Sequence, residues 1–78
     1  MNVVIYTKFG CANCTTAKNL LASKGIGFIE MHQDTDEFEF EKMLKAHPTV
    51  RQLPQIFINN QRVGGLAGLQ AALKELGL

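Results

Sequence analysis

Two cysteines separated by two residues, Cys11-Ala12-Asn13-Cys14, stand just downstream of a short β-branched and aromatic run, Val3-Val4-Ile5-Tyr6. That juxtaposition restricts the fold more than any other feature of the chain. A continuous apolar run of this length reads as a strand buried on both faces, hence central in a sheet. The Thr7-Lys8-Phe9-Gly10 turn that follows it delivers the first cysteine to the start of a helix. From Ala12 to about Lys24, Cys14, Ala17 and Leu21 recur at helical spacing with Lys18 and Ser23 outside, and Gly25 is a natural stop. Cysteines this close cannot staple distant parts of a chain, so in a reducing compartment the pair points to catalysis or metal binding.

The rest of the chain completes one small domain over residues 1–78. Gly27-Phe28-Ile29-Glu30-Met31 reads as a second strand, parallel to the first because a helix joins them. A second helix is expected from Asp36 to about Ala46, with Asp36 and Glu39 as a capping box and Phe40, Met43 and Leu44 as its apolar side, ending at His47-Pro48. The five acids between Asp34 and Glu41 suit the positive end of its dipole. Gln55-Ile56-Phe57-Ile58, an Asn59-Asn60-Gln61 turn and Arg62-Val63-Gly64 read as a hairpin. Leu66, Leu69, Leu73 and Leu76 mark a closing amphipathic helix. The order is βαβ, α, ββα, an α/β arrangement with a mixed sheet.

Eight basic against seven acidic residues leave a formal charge of +1, without the basic excess of a dedicated nucleic-acid binder. Nothing approaches the roughly 18 apolar residues of a membrane span, and no basic flank precedes a signal-like apolar stretch, so a cytoplasmic monomer is expected.

At a helix start, unpaired N–H groups and the helix dipole favour negative charge. Cys11 is therefore expected to have a lowered pKa and to act as nucleophile, with Cys14, one turn inward, attacking the mixed disulfide formed on it. The same spacing is half of many zinc sites. Only His32 and His47 remain as further non-carboxylate ligands, and their spacing matches no zinc-finger pattern. Pro54, in Arg51-Gln52-Leu53-Pro54-Gln55-Ile56, fits two readings: a proline starting a strand, or a cis bond that turns the backbone of Leu53 toward the cysteines to pair with an extended substrate. Gly64-Gly65 is a tight strand-to-helix turn, or a place where a ligand carboxylate approaches free N–H groups. Lys8, Arg51 and Arg62 are solvated charges, or surround an anionic thiol ligand.

With these pieces in order the chain resembles a glutaredoxin of the thioredoxin superfamily from Val3 to about Leu73. The landmarks are Val4-Ile5-Tyr6-Thr7-Lys8, the C-x-x-C, Ala17-Lys18-Asn19-Leu20-Leu21, Ser23-Lys24-Gly25, Leu53-Pro54-Gln55-Ile56-Phe57-Ile58 and Val63-Gly64-Gly65. The resemblance implies the thioredoxin fold, a four-stranded mixed sheet in the order β-α-β-α-β-β-α flanked by three helices, with Pro54 in cis. It implies a dithiol thiol-disulfide oxidoreductase that reduces protein or low-molecular-weight disulfides. No cofactor is tightly bound, and glutathione is the co-substrate that restores the dithiol. The substrate and glutathione positions then fall on Lys8, Asn13, Gln52, Leu53, Pro54, Gly64 and Gly65, and no metal site is expected.

Three residue pairs depart from the family pattern. Ala12-Asn13 replaces Pro-Tyr, Gln52-Leu53 replaces Thr-Val, and Ala67-Gly68 stands where an acidic or polar pair grips the γ-glutamyl amino group. Arg51-Gln52-Leu53-Pro54 also resembles the segment of small glutaredoxin-like proteins that serve ribonucleotide reductase and are reduced by thioredoxin reductase. The alternative from another class is a metal module, or an iron–sulfur cluster bridged between two copies.

Overall fold

The computed structural model describes residues 1–78. Its elements run β1 (Val3–Thr7), α1 (Ala12–Ser23), β2 (Ile29–His32), α2 (Glu37–Ala46), β3 (Gln55–Ile58), β4 (Gln61–Gly64) and α3 (Leu66–Glu75). The strands form one sheet in the order β2-β1-β3-β4, parallel between β1 and β2 and antiparallel elsewhere. This is the mixed four-stranded thioredoxin fold with three helices, and β1 is interior to the sheet as its apolar run requires.

Alternation along the strands divides the core into two layers. Val3 and Ile5 of β1 and Ile56 and Ile58 of β3 join Ala17 and Leu21 of α1 and Leu69 and Leu73 of α3 in one cluster. Cys14, Ala17 and Leu21, the helical stripe read from the sequence, are the buried residues of α1. On the opposite face Tyr6 makes edge-on contacts with Phe40 of α2 and Phe57 of β3, at centroid separations of 5.7 and 5.6 Å. Burying such aromatic and aliphatic groups contributes about 1.5–3 kcal/mol per side chain.

Several boundaries differ from the sequence reading. β2 begins at Ile29, not Gly27, and extends through His32. The Asp36–Glu39 capping box does not form, because the Asp36 side chain makes no cap bond to its own helix. The Asp36 carboxylate instead accepts from the His32 N–H at 2.8 Å and from the Thr35 hydroxyl at 3.2 Å. β2 is an edge strand, so that N–H has no strand partner and would otherwise be left to solvent. Leu44, expected on the buried side of α2, is 39% exposed, and Leu76 lies beyond α3 as its C-cap. The hairpin turn contains two residues, Asn59 and Asn60, at φ 51° and 68°, and Gln61 already belongs to β4. Positive φ at both central positions is what a tight hairpin of the correct twist demands, and asparagine tolerates it.

Ile56 pairs with Gly64 and Phe57 with Arg62, so Val63 is an extra residue on β4. α3 then crosses that bulge closely. A Cβ at Gly68 would collide with the carbonyl oxygen and carbon of Val63, which are backbone atoms that cannot swing aside. Gly68→Ala is therefore expected to destabilise the protein by about 1–3 kcal/mol through overpacking, measured as a lower urea midpoint at an unchanged slope.

A polar cluster ties α1 to the sheet edge. The buried Thr7 hydroxyl donates to Glu30 Oε2 at 2.6 Å, and Lys18 Nζ donates to the same oxygen at 2.9 Å. The Thr7 hydroxyl, and after it the Lys18 ammonium, hold the Glu30 carboxyl below its ordinary pKa, outweighing partial desolvation. A depressed folded pKa means that this stabilisation is complete above the unfolded value, near 4.3, and is lost as pH falls through the folded one. The stability difference between wild type and Glu30→Gln should accordingly shrink as the pH of urea titrations is lowered from about 5 to 3. A difference that stayed constant over that window would show that Glu30 does not titrate with a depressed pKa.

Candidate active site

The site is built where three connections meet at the carboxyl end of β1. Gly10, at φ +65°, turns the chain out of the sheet so that Cys11 becomes the N-cap of α1. Cys11 adopts extended backbone angles, φ −112° and ψ 99°, and its sulfur accepts the Cys14 N–H at 3.1 Å. A sulfur thus occupies the place usually taken by a capping hydroxyl or carboxylate, receiving one of the helix's unpaired donors. The first turn of α1 carries no acidic residue to oppose a thiolate.

Cys11 and Cys14 are joined in a disulfide, with Cα atoms 5.2 Å apart. Their environments differ sharply. Cys14 is 2% exposed and faces the sheet, whereas Cys11 is half-buried at the surface. An incoming sulfur can reach only the outer member of the pair.

The facing wall is the segment before β3. The Leu53–Pro54 bond is cis, Pro54 is buried, and the Leu53 carbonyl oxygen lies 3.6 Å from Cys11 Sγ. The bond is thus cis, and Pro54 precedes the strand without starting it, because β3 begins at Gln55. Behind it Gly65, the N-cap of α3, comes so near that a Cβ there would sit 3.4 Å from the Pro54 carbonyl oxygen.

Two clefts that share Arg51 and Gln52 take up most of the expected binding residues, and Pro54 lines neither. Lys8, Arg51, Gln52 and Leu53 share one with Phe40 and Val50. Arg51, Gln52, Gln55, Arg62, Gly64 and Gly65 line the other. Asn13 is exposed on α1 and lines neither. His32 ends β2 and His47 caps α2, and no group of three or more His, Cys, Asp or Glu side chains gathers to hold a metal ion. No helix is long and apolar enough to cross a membrane.

Two residues at this end escaped the sequence reading. Phe9, two positions before Cys11, is 75% exposed, with its ring centred 4.3 Å from that of His32. Gln55 is only 5% exposed, and its amide donates to the Gln52 carbonyl at 2.9 Å. A glutamine opening an otherwise apolar strand was the available signal for the second. An aromatic in a polar turn gave no comparable clue for the first.

Comparison with known proteins agrees with this geometry. Residues 3–63 match the Glutaredoxin family. Glutaredoxin 3 of Escherichia coli (strain K12) is 44% identical over 70 residues, covering 90% of this chain and 83% of that protein. The structure of reduced Escherichia coli glutaredoxin superposes with a TM-score of 0.79 at 28% identity and full coverage of both chains. The glutaredoxin-like protein NrdH-redoxin from Escherichia coli superposes at 0.74, with 25% identity over 91% of this chain and 93% of its own.

In the reduced protein, Cys11 is expected to react with iodoacetamide at neutral pH far faster than Cys14. Its titration midpoint should lie below the ordinary thiol value of about 8.5. Peptide mapping after brief alkylation, repeated across pH, measures both.

Proposed function

The chain belongs to the glutaredoxin family, a branch of the thioredoxin superfamily, and is a dithiol thiol-disulfide oxidoreductase; from that premise we propose that Cys11 is its nucleophile, Cys14 its resolving thiol and glutathione its reductant. The supporting observation is the asymmetry of the pair: one sulfur at the surface on a helix N–H, the other buried one turn behind. The Cys11 thiolate attacks one sulfur of a substrate disulfide. A Cys11–substrate disulfide forms, and the second substrate sulfur leaves as thiolate. Cys14 then loses its proton to solvent and attacks Cys11 Sγ, the first substrate sulfur departs, and an internal disulfide remains. Two electrons have passed to the substrate. Two glutathione thiols return them, giving glutathione disulfide.

Leu53 offers backbone hydrogen-bonding groups beside Cys11 for an extended tripeptide or protein segment. Lys8 and Arg51 stand at one side and Arg62 with Gly64 and Gly65 at the other, which suits the two carboxylates of glutathione. Disulfide-containing proteins are substrates of the same groove.

A second reading, reduction by thioredoxin reductase and electron donation to ribonucleotide reductase, is favoured by one specific observation. The first turn of α3 contains no acidic residue, and the collision at Gly68 keeps any side chain out of that position. The γ-glutamyl ammonium is then left without a carboxylate partner. The Arg51-Gln52-Leu53-Pro54 segment and the likeness to NrdH-redoxin, whose published description is of a thioredoxin-like activity profile, point the same way. A metal or cluster module is the rival of another class. It would require ligands from a second chain or molecule, and would show as bound iron or zinc in purified protein.

The donor is decided by supplying oxidised protein with glutathione and glutathione reductase, or with thioredoxin reductase alone, and following NADPH consumption. Fast turnover in the first system is expected. Fast turnover only in the second would replace glutathione as the proposed donor, and loss of neither activity in Cys11→Ser would remove the nucleophile assignment.

A further inference from the structure

No backbone-to-backbone hydrogen bond holds residues 51–54, although this segment forms the wall facing Cys11. Pro54 has no N–H to offer. The chain is instead bridged by a side chain, because Gln55 Nε2 donates to the Gln52 carbonyl at 2.9 Å across Leu53 and Pro54. Gln55 is itself anchored as the first residue of β3, opposite Tyr6 of β1 in the antiparallel register. The bridge therefore connects the sheet directly to the residue before Leu53.

The geometry is unfavourable for stability. Gln55 Oε1 is buried and has no hydrogen-bond partner, whereas most buried polar groups are satisfied. Rotating the amide would place Oε1 against the Gln52 oxygen and break the one bond the side chain makes, so the observed orientation is the better of the two. An apolar side chain of similar length would fill the same space without stranding an acceptor.

We propose that Gln55 is a positioning residue for the active site: its amide, destabilising in itself, holds the 51–54 segment so that the Leu53 backbone stays in register with Cys11. The proposal rests on the oxidoreductase reading for its effect on turnover, but not for its effect on the thiol. Once the disulfide is reduced, the Leu53 carbonyl, 3.6 Å from Cys11 Sγ, is placed to accept the Cys11 S–H and thereby favour the protonated form. The charged and titratable groups on the elements around that sulfur are Lys8 on its own turn, His32 at the end of β2 and Arg51 on the facing segment. α1 and α3 carry no acidic residue in their first turns. Releasing the segment lets the carbonyl withdraw while Lys8 stays in place. Arg51 moves with the segment, but it is exposed with its guanidinium on the Pro48 carbonyl at 3.5 Å and its charge is screened by solvent. Loss of the direct acceptor therefore decides the sign, and the Cys11 titration midpoint falls.

The test compares wild type with Gln55→Met and Gln55→Leu, neither of which has a donor or an orphan acceptor. Urea midpoints equal to or above wild type are expected. In reduced protein the pH midpoint of Cys11 alkylation by iodoacetamide should shift downward. In turnover, kcat/KM for a glutathionylated peptide should fall roughly tenfold, mostly through KM, as expected when a substrate-pairing backbone loses its register. A Cys11 midpoint and KM unchanged in both folded variants would overturn the proposal, as would activity lost only in proportion to unfolding. Should both variants fail to fold, wild type decides by NMR: a coupling across the hydrogen bond from the Gln55 side-chain nitrogen to the Gln52 carbonyl carbon is expected, and its absence is a refutation. If wild type itself does not turn over, the oxidoreductase reading fails, while the alkylation result still judges Gln55.

Discussion

The interaction on which the rest depends is a single backbone donor, the Cys14 N–H, directed at Cys11 Sγ from 3.1 Å. A thiolate in water is stabilised by mobile solvent. Here part of that stabilisation is fixed in advance by peptide dipoles aligned along α1. The alignment is only as good as the anchoring of the helix, which is supplied by Cys14, Ala17 and Leu21 packed on the sheet and by Lys18 reaching Glu30 at its edge. Cys14, the proposed resolving thiol, is thus also a packing residue. Its burial makes it poorly accessible to outside disulfides while leaving it bonded to its partner, so one structural fact accounts for both the order of the two proposed steps and the intramolecular character of the second.

The opposite wall arises from strand register. Because β3 runs antiparallel to β1 and Tyr6 lies opposite Gln55, the residues entering β3 arrive beside those leaving β1. The sheet thus brings the approach to β3 near Cys11, and the Gln55 amide on the Gln52 carbonyl carries that placement back across Leu53. The third connection, into α3, is drawn close by glycine: at Gly65 it packs against the Pro54 carbonyl, and at Gly68 against Val63. Chemistry is confined to loops at one end of a sheet whose centre is apolar, which places reactive groups where backbone N–H and C=O groups are not consumed by the ladder.

What could be read from the sequence followed from short-range periodicity and turn chemistry. The stripe of α1, the central position of β1 and the Asn59–Asn60 reversal all emerged from neighbouring residues. The errors occurred where a distant partner decided the outcome. Asp36 carries a capping signature, yet the unpaired edge N–H of His32 claims its carboxylate. Leu44 fits the apolar stripe of α2, but the sheet beneath is already covered by Phe40 and Met43. The residues around Pro54 left cis and trans open, and only the likeness of the whole chain to a family pointed to cis. Gln55 opens an otherwise apolar strand, which marks it as unusual, but the carbonyl three residues earlier that its amide serves is set by the course of the chain through Leu53 and Pro54.

Gly68 connects packing to recognition. The extra residue at Val63 pushes its carbonyl toward α3, and the helix can lie against it only where a side chain is missing. Position 68, in the first turn of α3, is thereby closed to any side chain by the same contact that docks the helix. The neighbouring charges are Lys8, Arg51 and Arg62, all cationic. A ligand entering from either cleft therefore meets positive charge, an arrangement that favours carboxylates and disfavours amines. Ala67, exposed beside Gly68 on the same turn, is the position at which a side chain can change the charge of this end of α3 without meeting the Val63 carbonyl.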